Sequence, residues 1–418
     1  MPYKLEELDN KTGEELAQIF KAIPLGVTSL ELSYNSLGKK TGIELSKAFA
    51  AIPPGVTLLD LYGNTFGDTP SAELVLALKA IPISVTSLNL SGNNLDHKTS
   101  SEISQAFNAL PTGVISLALH SNNLGSLSGE DLAQVFKAIP NCITSLDLSW
   151  NELHSRTGTE LSEAFKVLPS GLTSLDLGWN AFGDKTCTEL AQALNAIPTS
   201  VTSLDLNWNG LQSKTCAELV QAFQAIPVGV TQIDLSGNEF GDRTEAELAQ
   251  VFSALPMNVK SIKINSKDST NINVIDLDDL RAKQALQVIL ANLKPQLLII
   301  KNKAEDLAVR GFDEAFNAAN TLHDTLHELK DQCSDGRINY SNFKIQSQQA
   351  LGTARKELEK HRGWKEVLGN VALCILGLGI GYLAICAYRG SFFKFNTASE
   401  TILNDFQSSI ESVSPNLS

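Results

Sequence analysis

The chain has 418 residues, 43% of them hydrophobic and 19% charged, which is room for about two or three domains with a sizeable core. A formal net charge of −13 argues against a general nucleic-acid binder, because phosphates need basic patches. Six cysteines do not make a disulfide framework, and the opening Met1-Pro-Tyr-Lys-Leu-Glu-Glu7 has neither the basic start nor the apolar run of a secretory signal. Reduced thiols and a cytosol-facing protein are therefore the expectation.

In chain order, residues 10–24 read as a helix without a strand of its own, a cap on the N-terminal end of a repeat array. A string of the form Val-Thr-Ser-Leu-x-Leu then recurs at Val27, Val56, Val85, Val114, Ile143, Leu172, Val201, Val230 and Val259, always 29 residues apart. Each unit opens on a short alternation of apolar and polar residues, as in Leu172-Thr-Ser-Leu-Asp-Leu177, which predicts a strand. An asparagine follows at a fixed offset: Asn35, Asn64, Asn93, Asn122, Asn151, Asn180, Asn209 and Asn238. The second half has apolar residues at helical spacing, such as Leu161, Phe165 and Leu168. Capping boxes of the form Thr-x-x-Glu predict where the helices start: Thr12/Glu15, Thr41/Glu44, Thr99/Glu102, Thr157/Glu160, Thr186/Glu189, Thr215/Glu218 and Thr244/Glu247. Prolines at 53, 82, 111, 140, 169, 198 and 227 predict where they stop.

The pattern L-x-x-L-x-L-x-x-N-x-L followed by a helix resembles the leucine-rich repeat, and the long unit resembles its ribonuclease-inhibitor-like class. The resemblance covers about residues 10–266 and implies an α/β horseshoe solenoid, with a parallel sheet inside and helices outside. One such unit cannot bury its leucines alone, so stacking must make the core. The asparagines are expected to be buried amides that satisfy backbone groups where the chain leaves each strand. The last strand, Lys260-Ser-Ile-Lys-Ile264, lacks the asparagine and has Lys267 instead.

The non-leucine strand positions should face the concave surface, so one repeat position read down the chain is a column in space. The position between the two strand leucines reads Glu31, Asp60, Asn89, Ala118, Asp147, Asp176, Asp205, Asp234 and Lys263. Residues 1–266 hold 28 acidic and 16 basic residues, so nearly all the net charge lies in the repeats. Four stacked aspartates repel one another and need compensation from Thr or Ser hydroxyls, water or a basic partner. Two readings are open: a solvated acidic face, or a docking stripe for Lys and Arg of another protein. The residue before each asparagine reads Tyr34, Gly63, Gly92, Ser121, Trp150, Trp179, Trp208 and Gly237, which holds three of the chain's four tryptophans. Tryptophan beside aspartate suits a basic side chain through charge pairing and cation–π contact. A stack packed only on its own loops is the other reading. The expected partner-binding residues are thus Asp147, Asp176, Asp205, Asp234, Trp150, Trp179, Trp208 and Tyr34, and the expected partner is a protein with a basic segment, not a nucleic acid.

The period fails after residue 268. Helices are expected at 276–294, 303–332 and 342–362, the last two split by Cys333-Ser-Asp-Gly336 into a hairpin or stalk. Next, Val367–Tyr388 is a run of 22 uncharged residues, long enough to cross a bilayer, with a buried core helix as the alternative. Its flanking Lys and Arg residues would leave the solenoid cytosolic, Trp364 would sit at the interface, and Gly377 with Gly381 fits a helix-dimer motif. Four segments are expected: a solenoid at 1–268, a helical cap and stalk at 269–363, a transmembrane helix with flanks at 364–390 and a tail at 391–418.

The run from Ala354 to Asn370, with its apolar continuation, resembles a C-terminal segment shared among Legionella effectors exported by a type IV (Dot/Icm) system. That resemblance implies a translocation signal in the tail, with Glu400, Asp405, Glu411 and Leu417, and a place at a host-cell membrane or in host cytosol. Enzyme patterns are thin. His323-Asp-Thr-Leu-His327 puts two histidines one turn apart but lacks a third metal ligand. Cys333-x-Asp335 resembles the nucleophile motif of bacterial leucine-rich-repeat ubiquitin ligases, in a helical region of about 95 residues that is short for that family. Cys187 and Cys216 occupy equivalent places in adjacent repeats, as duplication would leave them. No cofactor is expected. The reading is a binding scaffold, with a Cys333-dependent enzyme as the alternative.

Overall fold

The computed structural model describes residues 2–265 and 272–376. They fall into two compact units, Met1–Leu280 and a second that begins at Arg281.

The first unit is built on one eleven-stranded sheet whose strands run in sequence order. The strands are β1 (Tyr3–Lys4), β2 (Ser29–Glu31), β3 (Leu58–Asp60), β4 (Ser87–Asn89), β5 (Ser116–Ala118), β6 (Ser145–Asp147), β7 (Ser174–Asp176), β8 (Ser203–Asp205), β9 (Gln232–Asp234), β10 (Ser261–Asn265) and β11 (Ile272–Asp276). From β1 to β10 all pairings are parallel, and between β2 and β10 each residue meets its equivalent 29 positions on, as Asp147 meets Asp176. The middle residue of each three-residue strand is buried while its neighbours face outward. β1 leads straight to α1 (Gly13–Lys21), and after each of β2–β9 the chain makes a 3-10 turn and a helix: α2 (Gly42–Ala50), α3 (Ser71–Lys79), α4 (Ser100–Asn108), α5 (Gly129–Lys137), α6 (Gly158–Lys166), α7 (Cys187–Asn195), α8 (Cys216–Phe223) and α9 (Glu245–Phe252). One continuous core of strand leucines and helix phenylalanines, including Phe20, Phe49, Phe107, Phe136, Phe165, Phe223 and Phe252, runs through all the repeats.

All seven expected capping boxes form, with the threonine hydroxyl accepting from the glutamate N–H and the carboxylate accepting in return. Several of these carboxylates also reach the preceding repeat. Glu44 accepts from Gly13 N at 3.3 Å, and Glu102 accepts from the Ser71 hydroxyl, which with the Thr99 cap holds its pKa down at about 2. The prolines stop the helices as expected, and each carbonyl then accepts from the N–H three residues on, as Pro53 O does from Val56 N at 3.1 Å.

The asparagines are buried, as their spacing implied. Asn180 donates to Leu148 O, Leu177 O and Gly178 O, while its Oδ1 accepts from Asn151 N and Leu153 N at 3.1 and 3.2 Å. Each amide thus ties two repeats together and supplies partners to buried backbone groups where the chain turns.

Both ends differ from expectation. The first helix does have a strand: β1 lies parallel to β2, with Tyr3 opposite Leu30. Two residues are missing from its turn. Leu5 O accepts from Asn35 over a separation of 30 residues, where Leu32 O accepts from Asn64 over 32. Leu8 N donates to Asn35 Oδ1 over the usual 27. The shortened turn breaks the 29-residue phase, which hides the strand. At the other end β10 is followed by β11, which pairs with it antiparallel over five positions and covers the last parallel edge.

The second unit is helical. The helix α10 spans Leu277–Val309 and continues through Pro295, so the two helices expected at 276–294 and from 303 are one as far as Val309. Then come α11 (Asp313–Ser334), α12 (Tyr340–Leu358) and α13 (Trp364–Ile375), with α11 and α12 forming the expected hairpin. These four helices share a second core that includes Leu293, Ile300, Leu322, Leu326, Phe343 and Leu358.

That core takes up the described part of Val367–Tyr388, residues 367–376, and does not support a membrane span there. Among the described residues, no helix is long and apolar enough to cross a membrane. The described part of the stretch lies in α13, a helix of 12 residues whose Val367, Leu368, Val371 and Ile375 are buried in the helical core. Trp364, expected at a membrane interface, is buried in the helical core, with the Lys303 ammonium 5.8 Å from its ring centroid. Apolar faces scattered over α10–α12 supply the burial that a local count of hydropathy does not see. Residues 377–418, with Gly377, Gly381 and the tail, lie outside the described residues.

Candidate functional site on the sheet face

Every repeat leaves its strand through the same backbone. The residue before each asparagine is left-handed: φ is 58° at Tyr34, 65° at Gly63 and Gly92, 56° at Ser121, 55° at Trp150, 54° at Trp179, 49° at Trp208 and 71° at Gly237. Glycine adopts this conformation freely, whereas a residue with a Cβ costs roughly 1–2 kcal/mol more. Three consecutive tryptophans accept that cost without filling the core.

They form a ladder. Trp150 and Trp179 stack with ring centroids 4.2 Å apart, and Trp179 and Trp208 with centroids 4.5 Å apart, inclined by 16° and 13°. All three stay solvent-accessible, at 51%, 37% and 48% exposure in chain order, so mutual packing does not hide them. The Trp208 end is closed by Gly237, where even a Cβ would collide with the indole.

Tyr34 belongs to a different cluster. It meets Tyr62 edge-on at 5.1 Å, and Tyr62 reaches over to His120 at 5.4 Å. The intervening repeat carries Gly92, where a Cβ would come within 2.9 Å of the Tyr62 ring. Tyr62 and His120 occupy the column one residue before the tryptophans, which also holds Ser149, Gly178 and Asn207. Reading that column down the repeats would have found them.

The aspartates are compensated locally. Asp147 Oδ1 accepts from Ser149 N at 2.9 Å and from its hydroxyl at 2.7 Å. Asp176 accepts from Gly178 N and Asp205 from Asn207 N, both at 2.8 Å. Asp234 accepts from Ser236 N at 2.9 Å and pairs with Lys263 at 3.1 Å. The backbone thus supplies a donor two residues on in every case, alongside the expected serine hydroxyls. Burial nonetheless pushes the Asp176 pKa up to about 7, helped by the charges of Asp205, Asp147 and Asp234. Burial, with Asp234 next, pushes Asp205 up to about 6. The stripe is therefore not uniformly charged at neutral pH, and its middle gains charge when a cation approaches.

The two aromatic clusters frame an open cleft of ≈ 590 Å³, lined by Tyr62, His120, Ser121, Asp147, Ser149, Trp150, Asp176, Trp179 and Asn207. Of the expected site residues, Asp147, Asp176, Trp150 and Trp179 meet there, while Asp205, Asp234, Trp208 and Tyr34 lie outside its lining. The Asn207 Oδ1 in this lining is buried with no hydrogen-bond partner.

The enzyme candidates fare differently. Cys333 is buried in the helical core, which raises its thiol pKa, whereas a thiolate nucleophile needs the opposite. His323 and His327 pair with Asp324 and Asp331 at 2.9 and 3.0 Å, and no group of three or more metal-ligating residues occurs among the described residues.

This fold agrees with what is known of other proteins. A family model described as Leucine Rich repeat matches residues 140–156, 172–191 and 198–216, and a second, Leucine Rich Repeat, matches 84–108. The crystal structure of the leucine-rich repeat-containing protein LegL7 from Legionella pneumophila matches with 34% identity and a TM-score of 0.57, over 67% of this chain and 96% of that one. The Rad7 and Elc1 complex of yeast matches at 14% identity with a TM-score of 0.27, over 63% of this chain and 80% of that one. No curated protein sequence matches significantly. The chain belongs to the leucine-rich-repeat family, and it is similar to a Legionella member of it.

Proposed function

We propose that the first unit is a protein-interaction module whose sheet face binds a basic segment of another protein. The observation that carries this is the tryptophan ladder, held half-exposed in a conformation that glycine would fill more cheaply, alongside a stripe of carboxylates. Exposed charge pairs add only about 0–1 kcal/mol each, so the acids speed and orient the encounter while the indoles hold the partner. The similarity to a Legionella leucine-rich-repeat protein favours a role as a secreted effector acting on a host protein, with its export signal in the tail.

The test is a surface plasmon resonance measurement, at two ionic strengths, of the full chain against partners recovered by proximity labelling. Asp176→Asn with Asp205→Asn should slow association and flatten its salt dependence, and Trp179→Ala should speed dissociation. Binding that is unchanged in both variants would move the site off the sheet face. Export is tested separately, by a translocation-reporter fusion with and without residues 391–418.

A further inference from the structure

The tryptophan ladder has one closed end and one open end. Gly237 is overlaid by Trp208, so no further ring fits beyond it. At the other end the next position is Ser121, whose φ of 56° gives it the same backbone as Trp150. A fourth ring would stand there had the repeat continued its own pattern. Instead the small Ser121 hydroxyl lies 3.1 Å from His120 Nδ1, and no described ring covers the outer face of Trp150. Trp150 is accordingly the most exposed of the three indoles, at 51%.

The vacant rung opens into the ≈ 590 Å³ cleft between the two aromatic clusters. His120, its ring tilted 30° against that of Tyr62, forms its far wall. Asp147 lies at its base with Oδ1 occupied by Ser149 and no hydrogen bond to Oδ2 among the described residues. The strand residues of the two preceding repeats, Asn89 and Ala118, carry no charge, so Asp147 is where the acidic stripe begins. An occupant must be flat enough to continue a stack spaced at 4.2–4.5 Å and must bring donors and positive charge to a carboxylate. A guanidinium is planar, stacks on indoles and binds carboxylates through paired N–H groups, whereas an ammonium has no plane to stack. A neutral aromatic side chain would stack but leave Asp147 without a partner.

We propose that this cleft takes an arginine side chain of the partner protein, its guanidinium lying on the free face of Trp150 and its N–H groups turned to Asp147. The inference rests on the sheet face being the binding surface and specifies its anchoring contact.

The full chain, labelled with ¹⁵N at its tryptophan indoles, is titrated with N-acetyl-arginine methylamide and, separately, with the lysine and tyrosine analogues. Trp150→Phe identifies the Trp150 resonance. Arginine should shift that resonance saturably, with lysine and tyrosine about tenfold weaker. Ser121→Trp should fill the rung and abolish the shift, with circular dichroism confirming the fold. Asp147→Asn, a change of one atom at a surface strand, should weaken arginine about tenfold and serves if Ser121→Trp does not fold. Equal response to lysine or tyrosine, a shift centred on another indole, or no shift at all would overturn the proposal. A basic partner that binds Ser121→Trp like wild type, yet loses its salt dependence in Asp176→Asn with Asp205→Asn, would overturn the rung and leave the sheet-face reading intact.

Discussion

The repeats that start at Val27, Val56, Val85 and Val114 and those that start at Ile143, Leu172, Val201 and Val230 share one backbone and carry different surfaces. Their strands pair in the same register, and the same left-handed residue precedes each corner asparagine. In the first set the outward strand column reads Glu31, Asp60, Asn89 and Ala118; in the second it is aspartate throughout. The turn column holds glycine or serine at three of four positions in the first set and tryptophan at three of four in the second. A scaffold that works with Gly63 and Gly92 does not require Trp150 and Trp179. What the second set adds is surface chemistry, and the cleft lies where the two sets meet, at Ser121.

The comparison can be broken most severely at the scaffold. Asn93→Ala and Asn180→Ala should destabilise alike, by about 3–5 kcal/mol, since each orphans several buried groups at roughly 1–3 kcal/mol apiece. Urea unfolding would show whether one set leans on its ladder more than the other, and a clear inequality would mean that the scaffolds are not equivalent. The next effect is at the end of the second set. A fragment of residues 1–268 lacks β11 and the buried Leu277, whereas 1–280 keeps both. The shorter one should be less stable by about 2–4 kcal/mol, and equal thermal midpoints would show that β11 is not a cap.

Function and fold separate at Trp179. Changing Trp179 to Gly should relieve about 1–2 kcal/mol of backbone strain while losing two stacking contacts of about 0.5–1.5 kcal/mol each, for little net change in stability. Partner affinity should still fall by about thirtyfold, near 2 kcal/mol. A large loss of stability with affinity intact would make the ladder structural.

The smallest effect concerns protonation. Asp176 titrates at about 7 in the folded protein, above the usual carboxylate range. As pH rises from 4 to 7 the unfolded chain releases this proton while the folded chain keeps it, so this group's contribution to stability declines and is gone above about pH 7. Asp176→Asn removes that decline, and Asn89, which accepts from Ser91 N at 2.9 Å, shows that the turn accommodates the amide. The variant should match wild type near pH 4 and exceed it at pH 8, on the order of 1 kcal/mol after allowing for partial exposure. Thermal melts that run parallel across this range would show Asp176 to be an ordinary carboxylate.

Much of the molecule was legible before folding because its rules are local and repeated. The strand alternation, Thr-x-x-Glu caps and stopping prolines each act within a few residues. The asparagine is legible because its partners sit at fixed separations of 27 and 29 residues. Columns of equivalent residues follow from that register, so the tryptophan stack and the aspartate stripe could be read from spacing. The contact between Tyr62 and His120 could not, because it skips a repeat and depends on the absence of a side chain at Gly92.

Where the period breaks, only tertiary structure decided. The strand Tyr3–Lys4 forms because β2 offers an edge, though two residues are missing from its turn. Antiparallel β11 closes the other edge for the same reason. The stretch that begins at Val367 has the hydropathy of a membrane span, and its described part is instead buried against α10, α11 and α12. The charge on Asp176 is likewise not a property of its residue type. Hydropathy and charge are properties of one segment, but which solvent surrounds a segment, lipid, water or protein, is set by the elements packed against it.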